Sequence, residues 1–145
     1  MPLLIDLKPG EKLIINGAVV ENAGANTKIR ILNDSAILRQ KEILSDTDCV
    51  TPASRVYFCL QCAYIFPDAR GKYLQSYNQY LDDYVKACPS AAAIADDIQT
   101  ALQTSNLYRA LKAARLLLKH ETQTIGRFQA QVRQGADGGP PTDED

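Results

Sequence analysis

The hydrophobic pattern of the chain changes its period once, near Thr51-Pro52. Before this point, short apolar runs are separated by turn residues and partly alternate with polar residues, which is typical of β-strands. After it, apolar residues recur three and four positions apart, which is typical of helices. Because the strands precede the helices without interleaving, we predict an α+β fold. It should comprise an N-terminal antiparallel β meander of four or five short strands, followed by a C-terminal bundle of about four helices.

Local signals set the expected ends of these elements. Asn16-Gly17 predicts a tight hairpin, because both central residues of a type I′ turn need positive φ. Thr51 is expected to cap the first helix, with Pro52 at its first position. Ser90 is expected to cap the third helix. The helices are predicted over about residues 52–66, 70–86, 91–104 and 106–128.

We expect three segments: a β region at residues 1–48, a helical region at 51–133 and a tail at 134–145. The tail is rich in Gly and Pro and carries four acidic residues, which predicts disorder. No stretch approaches the ~20 apolar residues of a membrane span. The N-terminus lacks the basic start of a signal peptide. We therefore expect a cytoplasmic protein that does not contact a membrane.

Cys59 and Cys62 have C-x-x-C spacing. A zinc site needs two further ligands, and Cys49, Cys88 and His120 are scattered along the chain. The segment around Cys59 is almost entirely apolar, so we interpret its thiols as buried and inert. The sequence has no serine-nucleophile motif, phosphate-binding loop or carboxylate dyad, and we predict no enzyme activity, no metal and no cofactor.

The net charge of −1 hides a local excess of positive charge in residues 107–133, which carry six basic side chains and one acidic one. On a helix, the apolar residues of this segment share one face, and the opposite face carries Arg109, Lys112, Arg115 and Lys119. A basic stripe of this kind is common on solvated helices, and it also suits binding of phosphate or of an acidic protein surface.

Tyrosines recur along the second predicted helix at Tyr73, Tyr77, Tyr80 and Tyr84. This spacing predicts packing in the core. The same row would also suit a protein interface, where tyrosine is enriched. No aromatic residue precedes Tyr57, so the strand region by itself offers no ring on which an RNA base could stack.

Five stretches carry a family resemblance. They are residues 7–12 (LKPGEK), 15–20 (INGAVV), 36–44 (AILRQKEIL), 51–58 (TPASRVYF) and 108–115 (YRALKAAR). Together, over about residues 3–128, they resemble the FlbT family of flagellum biosynthesis repressors from alphaproteobacteria. The resemblance implies a post-transcriptional regulator that acts on the 5′ untranslated region of flagellin mRNA and lowers translation or message lifetime. Some relatives are described as activators, so the resemblance leaves the sign of regulation open.

The strand region also resembles the small RNA-binding repressor CsrA. In that family the first and last strands form the RNA surface, with a main arginine contact just after the last strand. The matching positions are Ile5, Lys8 and Arg39, whereas Asp6 and Leu7 replace polar or basic positions. CsrA-like chains form intertwined dimers, so the resemblance implies a homodimer or higher oligomer through the β region.

The leading hypothesis is a non-catalytic regulator that binds flagellin mRNA. The candidate RNA contacts are Arg39, Lys8, Lys12 and Arg30 in the strand region, extended by Arg109, Lys112, Arg115 and Lys119. The alternative is a protein-interaction module or chaperone-like adaptor that binds flagellin or another flagellar regulator. Salt dependence separates the two, because phosphate binding weakens steeply with salt.

Overall fold

The computed structural model describes residues 3–138, with side chains described up to Ile125. Within this part of the chain, five strands precede four α-helices, and the predicted α+β order is confirmed. The strands are β1 (Leu3–Leu7), β2 (Lys12–Ile15), β3 (Ala18–Glu21), β4 (Thr27–Ile31) and β5 (Ile37–Arg39). The helices are α1 (Pro52–Ile65), α2 (Arg70–Ala87), α3 (Ala92–Gln103) and α4 (Leu107–Gly138).

The hairpin predicted at Asn16-Gly17 is present between β2 and β3. Asn16 has φ 51° and Gly17 has φ 89°, as a type I′ turn requires. The adjoining pair is Ile15 with Ala18. The Cβ of any larger residue at Gly17 would lie 3.0 Å from Phe66 Cε1. The turn is therefore pressed against the end of α1, so it also fixes the strand region on the helices.

Beyond this hairpin, the strands do not pair in chain order as they would in a simple meander. β1 pairs with β4, and a second sheet has the order β3-β2-β5, with all pairs antiparallel. The reason lies in the apolar side chains: Ile5 and Leu7 of β1 share a small core with Leu13 of β2. Chain-order pairing would give one continuous sheet, whereas two sheets can enclose these side chains between them.

α1 is the central helix and begins as predicted. Thr51 Oγ1 accepts a hydrogen bond from the Ser54 amide at 3.2 Å, and the Thr51 amide donates to Ser54 Oγ at 2.8 Å. This reciprocal cap satisfies amides that the first helical turn leaves free. Cys59 and Cys62 are buried on this helix as free thiols, as expected. Burial raises the pKa of Cys59 to about 11, so its thiol is unreactive at neutral pH.

The tyrosine row of α2 belongs mainly to the core. Tyr77 and Tyr84 are buried, while Tyr73 and Tyr80 are half-buried. The hydroxyl of Tyr84 lies 2.8 Å from His120 Nδ1 on α4. The core-packing interpretation is confirmed for Tyr77 and Tyr84. The row therefore gives less support to a protein interface, because two of its four tyrosines are not accessible to a partner.

The prediction that Ser90 caps the third helix is wrong. A short 3₁₀ turn, Pro89–Ala91, precedes α3, and no side chain caps either element. Ser90 Oγ instead lies 2.8 Å from His120 Nε2, so its hydroxyl forms a hydrogen bond to α4. α4 continues to Gly138, beyond the end predicted near residue 128. Residues 139–145, most of the predicted acidic tail, lie outside the described part of the chain.

Candidate nucleic-acid interface

Arg39 is the last residue of β5, and its position is set by the turn that follows. Its amide donates to Glu42 Oε1 at 2.9 Å, across the 3₁₀ turn Gln40–Glu42. The Tyr57 hydroxyl donates to the Glu42 carbonyl at 2.5 Å. The turn is thereby held against α1, and the exposed side chains of Arg39 and Lys41 leave the strand region on the side that faces α4.

The basic stripe of α4 faces outward because its opposite side is in the core. Ala110, Leu111, Ala114 and Leu117 are buried. The predicted cations lie on the other side: Arg109, Lys112 and Lys119 are exposed, and Arg115 is half-buried. The amphipathic pattern of this helix is therefore confirmed up to Ile125, the last residue with a described side chain.

The two sets of cations meet in one groove. A cavity of about 490 Å³ lies between the turn after β5 and the exposed face of α4. Its lining residues, which we call the basic groove, are Arg39, Lys41, Glu42, Tyr108, Lys112, Arg115, Leu116 and Lys119. Five of these side chains are cationic and one is acidic. Strong positive potential concentrated in a groove attracts polyanions even when the whole chain is close to neutral.

Glu42, the acidic residue of the groove, is committed to internal hydrogen bonds. Besides the Arg39 amide on Oε1, its Oε2 accepts the Tyr108 hydroxyl proton at 2.6 Å. Burial and the hydrogen bond to Glu42 together raise the pKa of Tyr108 to about 12. Tyr108 therefore stays protonated at neutral pH and keeps donating, which ties the start of α4 to the turn after β5.

The groove continues along α4 in the direction of α3. A neighbouring cavity of about 670 Å³ includes Arg109 and shares Tyr108, Lys112 and Leu116 with the basic groove. Asp97 of α3 also lines this second cavity. Arg109 is therefore placed next to the basic groove, on the same face of α4, with an acidic residue on the far wall.

The remaining strand-region candidates are placed differently. Lys8 lines a shallower cavity of about 430 Å³ together with Lys41, so it extends the basic groove at one end. The Lys12 amide donates to Gln40 Oε1 at 2.7 Å, which supports the turn. Arg30 is exposed on β4, opposite Leu4 of β1, and is not among the groove residues. Ile5, the other position matched to CsrA, is buried.

Sequence reasoning missed four members of the groove: Lys41, Glu42, Tyr108 and Leu116. Lys41 follows Arg39 by two residues, and Tyr108 precedes Lys112 by one helical turn. These spacings are visible in the sequence. What decides membership is the approach of the β5 turn to α4, and this depends on tertiary contacts made by Tyr57 and Tyr108.

The described residues show no sign of a metal centre or a membrane span. Over residues 3–138, no helix is both long and apolar enough to cross a bilayer. Among the described side chains, residues 3–125, no three His, Cys, Asp or Glu residues gather in a way that could hold a metal ion.

Comparison with known proteins decides the family. The sequence profile of the family described as "Flagellar protein FlbT" matches residues 3–125. The chain belongs to the FlbT family. The resemblance found in the sequence is thus confirmed, and FlbT is a family of regulators and not of enzymes.

Individual relatives match over most of their length. The flagellum biosynthesis repressor protein FlbT of Caulobacter vibrioides is 29% identical over 96% of this chain and 100% of that protein. A probable flagellum biosynthesis repressor of Rhodopseudomonas palustris is 33% identical over 88% of this chain and 100% of that protein. One from Bradyrhizobium diazoefficiens is 34% identical over 90% and 89% of the two chains. These names support a regulatory role in flagellar expression. No solved structure matches the chain significantly.

Proposed function

We propose that this chain regulates flagellin expression after transcription, by binding the 5′ untranslated region of flagellin mRNA in the basic groove. Binding there lowers translation or shortens the life of the message, in keeping with the repressor names of the relatives. The activity takes place in the cytoplasm, where the message is translated.

One observation carries the proposal: cations from the end of β5 and from α4 line the same groove. Phosphates of RNA are spaced along a strand, and a track of separated cations can neutralise several of them at once. The acidic member, Glu42, accepts internal hydrogen bonds on both carboxylate oxygens. The groove is thus positive in net charge and open to solvent along α4.

Salt dependence tests the proposal directly. Binding of a fluorescently labelled flagellin leader RNA is measured by anisotropy over a series of salt concentrations, with a scrambled RNA beside it. If all five groove cations pair with phosphates, log K should fall against log salt with a slope of about −3.5, since each single-strand phosphate contributes about 0.7. Specific binding to the leader RNA supports the regulatory role, and a slope near zero contradicts the groove as its site.

Matched variants locate the site. Arg39→Ala and Lys119→Ala each remove one groove cation and should reduce the slope by about 0.7. Arg39→Ala should in addition weaken binding by about 1–3 kcal/mol if this arginine reads a base edge. Arg30→Ala is the control, because it removes the same charge from an exposed position outside the groove. If all three variants change the salt slope and the affinity equally, the RNA-binding site does not lie in the basic groove.

Binding of flagellin or of another flagellar regulatory protein stays a prediction. The tyrosine row that favoured it lies mainly in the core, so no surface observation now singles out this alternative. A pull-down with flagellin at high salt would detect such a partner, because an apolar interface does not weaken with salt as phosphate binding does.

A further inference from the structure

The basic groove contains an exposed aromatic ring among its cations. Tyr108 is 36% exposed, and its neighbour in the groove, Leu116, is 46% exposed. A singly exposed apolar side chain is ordinary on a protein surface, but this ring lies in a groove lined by cations. An exposed ring flanked by cations is the arrangement with which single-strand-binding proteins stack bases while they neutralise the backbone.

The ring of Tyr108 is fixed in place by contacts on two sides. Its hydroxyl donates to Glu42 Oε2 at 2.6 Å. Its ring lies 5.8 Å from the ring of Tyr64, centroid to centroid, at a tilt of 43°. A ring that is already held loses little conformational freedom when a ligand stacks on it, which favours its use as a binding platform.

The ammonium of Lys112 lies over this ring. Its Nζ lies 5.8 Å from the Tyr108 centroid. A cation–π contact at an exposed site is weaker than the stacking of a base on an aromatic ring. An arriving base can therefore replace the ammonium, whose flexible stem lets it swing to a backbone phosphate. Lys112 would then neutralise a phosphate of the RNA strand instead of covering the Tyr108 ring.

From these contacts we infer that the basic groove binds unpaired RNA, with one nucleobase stacked on Tyr108. The inference rests on the proposed function and names the form of RNA that the groove accepts. In a duplex, base faces are hidden in the stack and the bases show only their edges, whereas loops and single strands can present a base face to a ring. Tyr108 thus supplies, from the start of α4, the stacking surface that the strand region lacks.

The test compares leader RNA in unpaired form with the same sequence annealed to its complement. The wild-type protein should bind the unpaired form more tightly. Tyr108→Leu should weaken binding of the unpaired form by about 5-fold to 150-fold, the range measured for loss of one stacked base. The salt slope should stay unchanged, because no charge is removed. Tyr108→Phe keeps the ring and should bind within about threefold of wild type, because the hydrogen bond it loses is internal to the protein and is made with or without RNA.

A second measurement does not depend on any protein variant. Single abasic substitutions are introduced along the unpaired RNA, and binding to the wild-type protein is measured for each. One position should lose affinity as strongly as Tyr108→Leu does, and the two changes together should cost no more than either one alone. Additive losses would overturn the inference.

The outcomes separate the two proposals. If the wild-type protein binds no leader RNA, the proposed function fails and the stacking inference fails with it. If binding is salt-sensitive and specific, but Tyr108→Leu and every abasic RNA bind like their parents, the proposed function stands and the stacking role of Tyr108 is wrong. Equal affinity for paired and unpaired RNA also overturns the inference.

Discussion

Replacing Glu42 with glutamine should tighten RNA binding while it destabilises the fold. Glu42 is the acidic member of the basic groove, and its two carboxylate oxygens accept from the Arg39 amide at 2.9 Å and the Tyr108 hydroxyl at 2.6 Å. Glutamine retains one acceptor oxygen and has an amide NH₂ in place of the other. The variant therefore removes a negative charge from the groove and leaves one of the two hydrogen bonds unmade.

The size of the effect on binding can be worked from Coulomb's law, with a bound phosphate taken to lie about 8 Å from the carboxylate. A carboxylate and a phosphate about 8 Å apart repel each other by about 0.5 kcal/mol in water and about 2 kcal/mol at an effective dielectric constant near 20. Because the groove is open to solvent, we expect about 0.5–1 kcal/mol, or binding about two- to fivefold tighter. The lost hydrogen bond is exposed, so the free energy of unfolding should fall by only about 1 kcal/mol.

Two assays check this pair of opposite changes. Anisotropy with leader RNA at low salt gives the change in affinity, and urea unfolding gives the change in stability. Glu21→Gln is the control, because Glu21 is exposed on β3 and is not a groove residue. The electrostatic reasoning is refuted if Glu42→Gln binds no more tightly than Glu21→Gln. A fall in affinity alone would instead indicate that the carboxylate contacts the RNA.

Three further predictions concern stability and assembly. Tyr77→Phe should raise the free energy of unfolding, measured by thermal melts, by about 1 kcal/mol, because the buried hydroxyl has no hydrogen-bond partner among the described residues. Tyr84→Phe is the comparison: it loses the hydrogen bond to His120 and should lower the free energy of unfolding. Gly17→Ala should lower the free energy of unfolding in urea by about 1–2 kcal/mol, because φ is 89° and the new Cβ would contact Phe66. Gly24→Ala is the control, because its Cβ would meet no atom nearer than 3.9 Å. The homodimer expected through the β region should sediment at twice the monomer mass at micromolar concentration, and a monomer there would contradict it.

The parts of the fold that were predictable depend on local chemistry. The Asn16-Gly17 turn and the Thr51-Pro52 helix start are set by residues within a few positions of each other. The cationic face of α4 could also be derived, because burial of every third or fourth residue leaves the stripe outside. Ser90 shows where this reasoning fails: a hydroxyl suited to a cap is used elsewhere when tertiary packing brings His120 to it.

The pairing of the strands could not be read from the sequence for a related reason. Hairpin signals identify neighbours that are joined by a tight turn, and they say nothing about strands that are separated by a longer connection. β1 and β4 pair because Ile5 and Ile29, among others, complete a small core between two sheets. Such a choice is made by packing over the whole strand region, in which alternatives with the same local pattern compete.

The position of the groove residues that follow β5 depends on polar side chains of the central helix, α1. Gln61 is 3% exposed, yet its side-chain amide donates to the Leu44 carbonyl and accepts from the Leu44 amide, both at 2.8 Å. Together with the Tyr57 hydroxyl on the Glu42 carbonyl, these bonds hold the segment after β5 on α1. A buried polar group is costly unless it is fully bonded, so this segment has one strongly preferred position. Arg39 and Lys41 are therefore positioned toward α4 by buried side chains of α1, so the geometry of the basic groove is set by the core beneath it.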